Sequence, residues 1–204
     1  MKTLEIIGYH RANLGKKSSK DLRRDGNVPC VLYGGDKQVH FQSPMILFRD
    51  LVYTPNIHKV LLNVEGDKYE CILQDIQFHP VSEMIMHADF LQISEDKAIK
   101  MDVPVKYVGT SPGVIGGGRL VSKLNKLKVS ALPAKMPEFI EVDISELELG
   151  KSVKVGALST TEFEILNSDR SPIASVELTR AQRGKQSGTE DGEEAEGGEE
   201  GDAE

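Results

Sequence analysis

The chain has no tryptophan and only two cysteines in its 204 residues. Cys30 and Cys71 form no CxxC pair, and both fall inside apolar, strand-like runs. They point to reduced core residues of a cytoplasmic protein rather than to a disulfide framework or a thiolate metal site. No apolar run approaches the length needed to span a bilayer, and the first residues lack the apolar core of a signal peptide. The expectation is therefore a cytosolic protein with no membrane partner. Phosphate loops are missing as well. Gly15-Lys16-Lys17-Ser18 lacks the upstream glycine and flanking strand that such a loop requires, and Gly116-Gly117-Gly118-Arg119 follows no strand-to-helix pattern. No nucleophile motif or cofactor loop accompanies the His and Asp residues, so neither a catalytic activity nor a cofactor nor a small-molecule substrate is expected.

What is present is charge, unevenly placed. The net charge is −7, and residues 181–204 alone carry two basic and nine acidic residues. The acidic balance thus belongs to the tail, whose low apolar content cannot offset the entropy of ordering; it reads as disordered. Against this stands a local excess of positive charge. Arg11, Lys16, Lys17, Lys20, Arg23 and Arg24 face a single acid, Asp21, between Arg11 and Arg24. Gly15 to Ser19 reads as a loop, Ser18 or Ser19 as the cap of a short helix, and Gly26 as its end. A strand, VPCVLY, follows, ending at Gly34-Gly35-Asp36. Loop cations, a basic helix and Tyr33 at a strand end suit a polyanion, because Lys and Arg displace counterions from phosphates. The plainer alternative is a solvated charged helix.

The remaining pattern is mainly β. KTLEIIGYH reads as a first strand, KQVHFQ as a return strand, and Ser43-Pro44 as a helix start before MILFRDLVY. HKVLLNV and KYECILQDIQF flank Glu65-Gly66-Asp67 as a hairpin, and MIMHADFLQI closes the set. Several strands and two short helices within residues 1–95 imply a small β-barrel or curved sheet. Residues 96–180 read as a second, all-β domain of sandwich type, with Thr110 to Gly118 as a loop and one helical turn at Ser145-Glu146-Leu147. Lys123, Lys126 and Lys128 read as a solvated strand face rather than a second RNA site.

Residues 74–90, QDIQFHPVSEMIMHADF, gather a second constellation. In a strand of period two, Asp75, Gln77 and His79 share one face. With Gln74, His87 and Asp89, they could hydrogen-bond base edges and 2′-hydroxyls. The duller reading has these groups satisfying backbone donors around the His79-Pro80 bend. A metal site of His79, His87 and Asp89 matches no common ligand spacing, and an acid–base pair there lacks a nucleophile.

Taken in order, RxxxGKxxSKxLRxxGxVPxVLYGG and QDIQxHPVxxxIxHxDF resemble the bacterial large-subunit ribosomal protein family that binds 5S rRNA. VPVxxxGxSPGVxxGG, LxVxALPxxxPxxIxVDIS and ELGKSV resemble its long two-domain form, the general stress protein Ctc. The resemblance covers about residues 3–178. It implies a six-stranded, barrel-like first domain related to anticodon-binding domains of glutaminyl-tRNA synthetases, an all-β second domain, and a non-catalytic place in the cytoplasmic ribosome among other large-subunit proteins. It also implies docking on the loop E region of 5S rRNA, mainly through the minor groove. Arg11, Lys16, Ser19, Lys20, Arg23, Tyr33, Gln74, Gln77, His87 and Asp89 occupy the RNA-facing motif. By this resemblance Arg11, Lys16, Lys20 and Arg23 neutralise phosphates. Tyr33, Gln74, Gln77 and His87 read the groove, and Asp89 sets orientation. Lys17 departs from a small residue, and Lys20-Asp21 from a frequent Arg pair; Asp21 is expected to turn away from phosphates or to hold Arg24. The competing reading is an off-ribosome stress protein that binds tRNA or other structured RNA.

Overall fold

The computed structural model describes residues 2–35, 37–158 and 163–179. The reading of residues 181–204 as a disordered tail, and Asp36 of the glycine turn, lie outside the described residues.

Six strands close a barrel: β1 (Lys2–His10), β2 (Asn27–Tyr33), β3 (Val39–Pro44), β4 (His58–Val64), β5 (Asp67–Phe78) and β6 (Ile85–Gln92), in the order β1-β3-β2-β6-β5-β4. β1 pairs with β4 and β2 with β6 in parallel; the other pairings are antiparallel. Alternation makes the interior: in β4, His58, Val60, Leu62 and Val64 are buried while the residues between them are partly exposed. Val60, Leu62 and Val64 meet Ile6, Val28, Cys30, Leu32, Phe41, Ala88 and Phe90 in one core. Each such Leu or Phe contributes roughly 1.5–3 kcal/mol by leaving water. Phe90 is its centre, with ring centroids 5.7 Å from Phe41 and 6.1 Å from Phe48. Gly8 is small for this core: a Cβ there would stand 2.7 Å from the Phe41 ring. The β4–β5 hairpin turns at Glu65 and Gly66, both with positive φ, and the Asn63 side chain accepts from the Gly66 amide.

Two short helices accompany the barrel, α1 (Lys16–Arg24) and α2 (Arg49–Val52), the latter entered by a 3-10 turn at Met45–Phe48. Two of the sequence-based expectations are corrected here. Neither Ser18 nor Ser19 caps α1. The helix begins at Lys16 with Gly15 at the N-cap and no side-chain cap, and Ser19 Oγ donates back to the Gly15 carbonyl. Gly26, at φ +80°, follows its C-terminus. Ser43-Pro44 stands one residue away from its expected role: Pro44, not Ser43, is the N-cap, and the 3-10 turn begins at Met45. Both residues end β3, because Ser43 Oγ turns inward and donates to the Ile7 carbonyl at 2.8 Å.

The rest of the chain supplies β7 (Ile99–Val108), α3 (Pro112–Ile115), β8 (Arg119–Ser122), β9 (Lys126–Ala131), β10 (Ile140–Asp143), β11 (Ser152–Lys154), β12 (Glu164–Ile165) and β13 (Pro172–Glu177). A four-stranded sheet has the order β10-β7-β9-β12 and a three-stranded one β11-β13-β8. Thr110 to Gly118 is not simply a loop, since α3 lies within it; Ser145-Glu146 forms a single turn, closed by the Leu147 amide donating to the Ile144 carbonyl at 3.1 Å.

Among the described residues, the chain divides into two compact units. Residues 2–106, 126–140 and 163–167 form one, in which the barrel is joined by most of β7, by β9 and by β12. Residues 107–125, 141–158 and 168–179 form the other. Ile144, Leu147 and Val176 make its core, with Tyr107, Leu120 and Val153 against them. There the Tyr107 hydroxyl lies 2.6 Å from Ser122 Oγ, and Ser111 Oγ donates to the Leu147 carbonyl.

Candidate nucleic-acid interface

Two irregularities in one strand pair decide which side chains face outward. β5 and β6 pair as Leu73 with Phe90 and then Asp75 with Asp89, leaving Gln74 as the extra residue of a bulge. Without it, Asp75 and Gln77 would follow Cys71 and Leu73 into the barrel. With it, Ile76 packs on the core instead, and Asp75 and Gln77 turn outward. There they stand opposite Asp89 and His87. A second shift leaves Met86 unpaired between the Gln77–His87 and Phe78–Ile85 pairs.

β2 flanks β6 on the other side, with Val31 in register with Asp89 and Tyr33 with Leu91. The outer face of β2, β6 and β5 therefore carries Tyr33, then His87 and Asp89, then Asp75 and Gln77. His87 and Asp89 are two residues apart on one strand, so they share this face. His87 Nδ1 donates to Asp89 Oδ1 at 2.7 Å, with both side chains about a quarter to a third exposed (26% and 30%). This bond fixes the ring and leaves Nε2 as its free polar edge. Burial raises the Tyr33 phenol above its ordinary value, and the Asp89 and Asp75 carboxylates raise it further. At neutral pH the hydroxyl is thus held protonated, able to donate as well as accept.

α1 abuts β2 and brings the cations to the same region. Lys16, Lys20 and Arg23 recur at helical spacing, and Lys16 and Lys20 are exposed. Arg23 Nε donates to the carbonyl of Met86 at 2.9 Å, the residue that the second bulge removes from the ladder. Arg11 is spent on the loop before the helix: one Nη donates to Ser19 Oγ at 2.9 Å and to the Asn13 carbonyl at 3.3 Å. Its Nε is buried without a partner. Ser19 is thereby an acceptor for Arg11. Asp21 lies 4.0 Å from Arg24, an exposed contact of little energy.

Of the residues read from sequence, Lys16, Lys20, Arg23, Tyr33, Gln77, His87 and Asp89 come together at this face and its helical border, and Gln74 sits exposed at the bulge beside it. Arg11 and Ser19 bind each other, tying the segment before α1 to its first turn. His79 does not share a strand face with Asp75 and Gln77. β5 ends at Phe78, and His79 Nδ1 accepts from the amides of Val81 and Ser82, which makes it a turn residue. Asp75, outside the motif that the family resemblance marks, stands on the same face opposite Asp89. Its signal was the apolar spacing Cys71, Leu73, Ile76, where a step of three replaces a step of two. Cys30 and Cys71 are free and buried in the core.

Comparison with known proteins gives two matches that leave only short segments uncovered. Residues 6–90 match the family model described as the ribosomal L25p family. Residues 98–180 match the model described as ribosomal protein TL5, C-terminal domain. A protein of Cytophaga hutchinsonii named large ribosomal subunit protein bL25 is 56% identical over 181 residues, covering 89% of this chain and 94% of its own. Its namesake from Amoebophilus asiaticus is 57% identical over 183 residues, covering 90% and 93%. One from Phocaeicola vulgatus is 48% identical over 191 residues, covering 90% and 96%.

Proposed function

This chain belongs to the ribosomal L25p family in its two-domain form, and we propose on that footing that its barrel binds 5S rRNA through the outer face of β2, β6 and β5. The protein is a non-catalytic structural constituent of the large ribosomal subunit and works in the cytoplasm on the ribosome. The observation that carries the reading is the joining of a basic helix to a polar strand face by the Arg23–Met86 hydrogen bond. Lys16, Lys20 and the remaining donors of Arg23 meet phosphates. Tyr33, Gln74, Gln77 and His87 meet the edges and hydroxyls of a wide, shallow minor groove. Asp89 holds His87, and Arg11 with Ser19 braces the loop that presents α1. The recognition domain is residues 1–95 and the second domain 96–180, a division supported by the two family matches and the gap between them.

Equilibrium binding of the full chain to 5S rRNA across a salt series tests the reading. Phosphate contacts give a steep fall of log affinity with log salt, whereas a flat line removes the basis for them. Retention on 50S particles through a high-salt wash separates a ribosomal constituent from a soluble RNA-binding protein.

A further inference from the structure

β5 borders a second feature that the reading face does not absorb. A cleft of about 540 Å³, wholly within the first compact unit, has Gln74 and Asp75 on one wall. Lys100, Asp102, Lys126 and Lys128 line another. The pairing of β7 with β9 sets Asp102 opposite Lys128, Pro104 opposite Lys126 and Lys100 opposite Ser130, so the lysines share one sheet face. All three are exposed, and none has an ion-pair partner among the described residues. Lys123, their neighbour in sequence, differs: it is tied to Glu177 at 2.7 Å. His58 also lines the cleft. It is 8% exposed, and its Nδ1 is buried without a hydrogen-bond partner.

We propose that this cleft takes the sugar–phosphate backbone of the RNA held on the adjoining face, with Lys100, Lys126 and Lys128 as phosphate contacts. The inference rests on the RNA-binding reading above and extends it from the barrel to the β7–β9 sheet. Gln74 and Asp75 belong to both surfaces, so a strand leaving the outer face of β5 passes directly into the cleft that the lysines line. A duplex is too wide for a space of this size; one strand of backbone is not. The three ammonium groups outnumber the two carboxylates of the lining. Asp75 Oδ1 is engaged by the Ile76 amide, whereas the lysine stems are long and free to follow a phosphate.

The test is the salt dependence of 5S rRNA binding by the full chain, by K100Q/K126Q/K128Q and by K123Q, with circular dichroism and thermal melting as fold controls. The triple variant is expected to lower the log–log slope by about 2, since each phosphate contact carries roughly 0.7–0.9, while K123Q leaves it unchanged. Should the triple variant fold poorly, K128Q alone is expected to remove about one contact's share. A folded triple variant with the parental slope overturns the inference and leaves the barrel reading standing. A flat slope for the parent protein overturns both. Inorganic phosphate, titrated at constant ionic strength, distinguishes the other source of the same chemistry. A lysine-dependent shift of the His58 ring resonances, with an unaltered RNA slope, would assign the cleft to free phosphate and overturn the RNA-backbone assignment.

Discussion

Arg23 of α1 and Met86 of β6, 63 positions apart in sequence, are joined by a hydrogen bond of 2.9 Å from Nε to the main-chain oxygen. The bond meets two needs at once. It satisfies a carbonyl that the β5–β6 irregularity takes out of the ladder, and it fixes the basic helix against the strand that carries His87 and Asp89. Replacing Arg23 by Gln should cost about 1.5–3 kcal/mol in urea unfolding, the range for a hydrogen bond with one charged partner. It should weaken 5S rRNA binding by more than one lost phosphate contact explains. An affinity loss equal to that of Lys16→Gln, with unchanged stability, would reduce Arg23 to an ordinary surface cation.

The His87–Asp89 contact predicts a coupled pair. In a double-mutant cycle with His87→Ala and Asp89→Asn, the two changes should be sub-additive in RNA affinity, with a coupling of about 1 kcal/mol. Binding of unrelated RNA should change little, because it depends on phosphates that neither residue touches. Full additivity would mean that Asp89 does not position the ring.

Tyr33 carries a pH signature. Burial, then Asp89, then Asp75 raise its phenol above the ordinary value of 10.0. A group whose folded-state value is raised favours the folded chain while it stays protonated. That contribution is complete below pH 10 and is lost as the pH climbs from there to the folded value. Ultraviolet titration should therefore show one tyrosine ionising late, and Asp89→Asn should bring its transition back toward the ordinary range. A Tyr33→Phe protein that keeps the late transition would assign it elsewhere.

The two thiols should be silent in the native protein. Burial pushes Cys71 up to about 12 and raises Cys30 still more. Near pH 8 neither forms appreciable thiolate in the fold, so a thiol reagent should react only as fast as the barrel opens. Their protonated state favours folding below pH 9, and this is lost above it. Rapid labelling of folded protein in the absence of denaturant would contradict the closed core.

Gly8→Ala tests how tightly the barrel is packed. The added methyl would sit 2.7 Å from the Phe41 ring, and the ring has Phe90 behind it. The expected loss is about 1–3 kcal/mol by thermal or urea unfolding. A neutral result would show that Phe41 has room to move.

Much of this architecture could be read from the chain because alternation is a local property: β1, β2, β4 and the hairpin at Glu65-Gly66 all lie where their residues suggest. Two of the misreadings concern one dipeptide. Ser-Pro at 43–44 looks like the cap and first residue of a helix yet ends β3, and Ser-Pro at 111–112 sits in what looks like a loop yet opens α3. The dipeptide is the same; what differs is the distant carbonyl each serine finds, Ile7 in one case and Leu147 in the other. The site was legible as two charged and polar stretches. Their juxtaposition was not, because it depends on β2 pairing with β6 and on an extra residue at Gln74 whose effect appears only against a partner strand.

The strand order has a consequence for synthesis. β2 is flanked by β3, made soon after it, and by β6, which emerges from the ribosomal exit tunnel only some sixty residues later. A growing polypeptide therefore exposes Tyr33 and the cationic helix well before it possesses the surface they belong to. On the proposed reading, discrimination among RNAs has to wait for the last barrel strand, and until then the emerging N-terminal half offers little beyond indiscriminate charge.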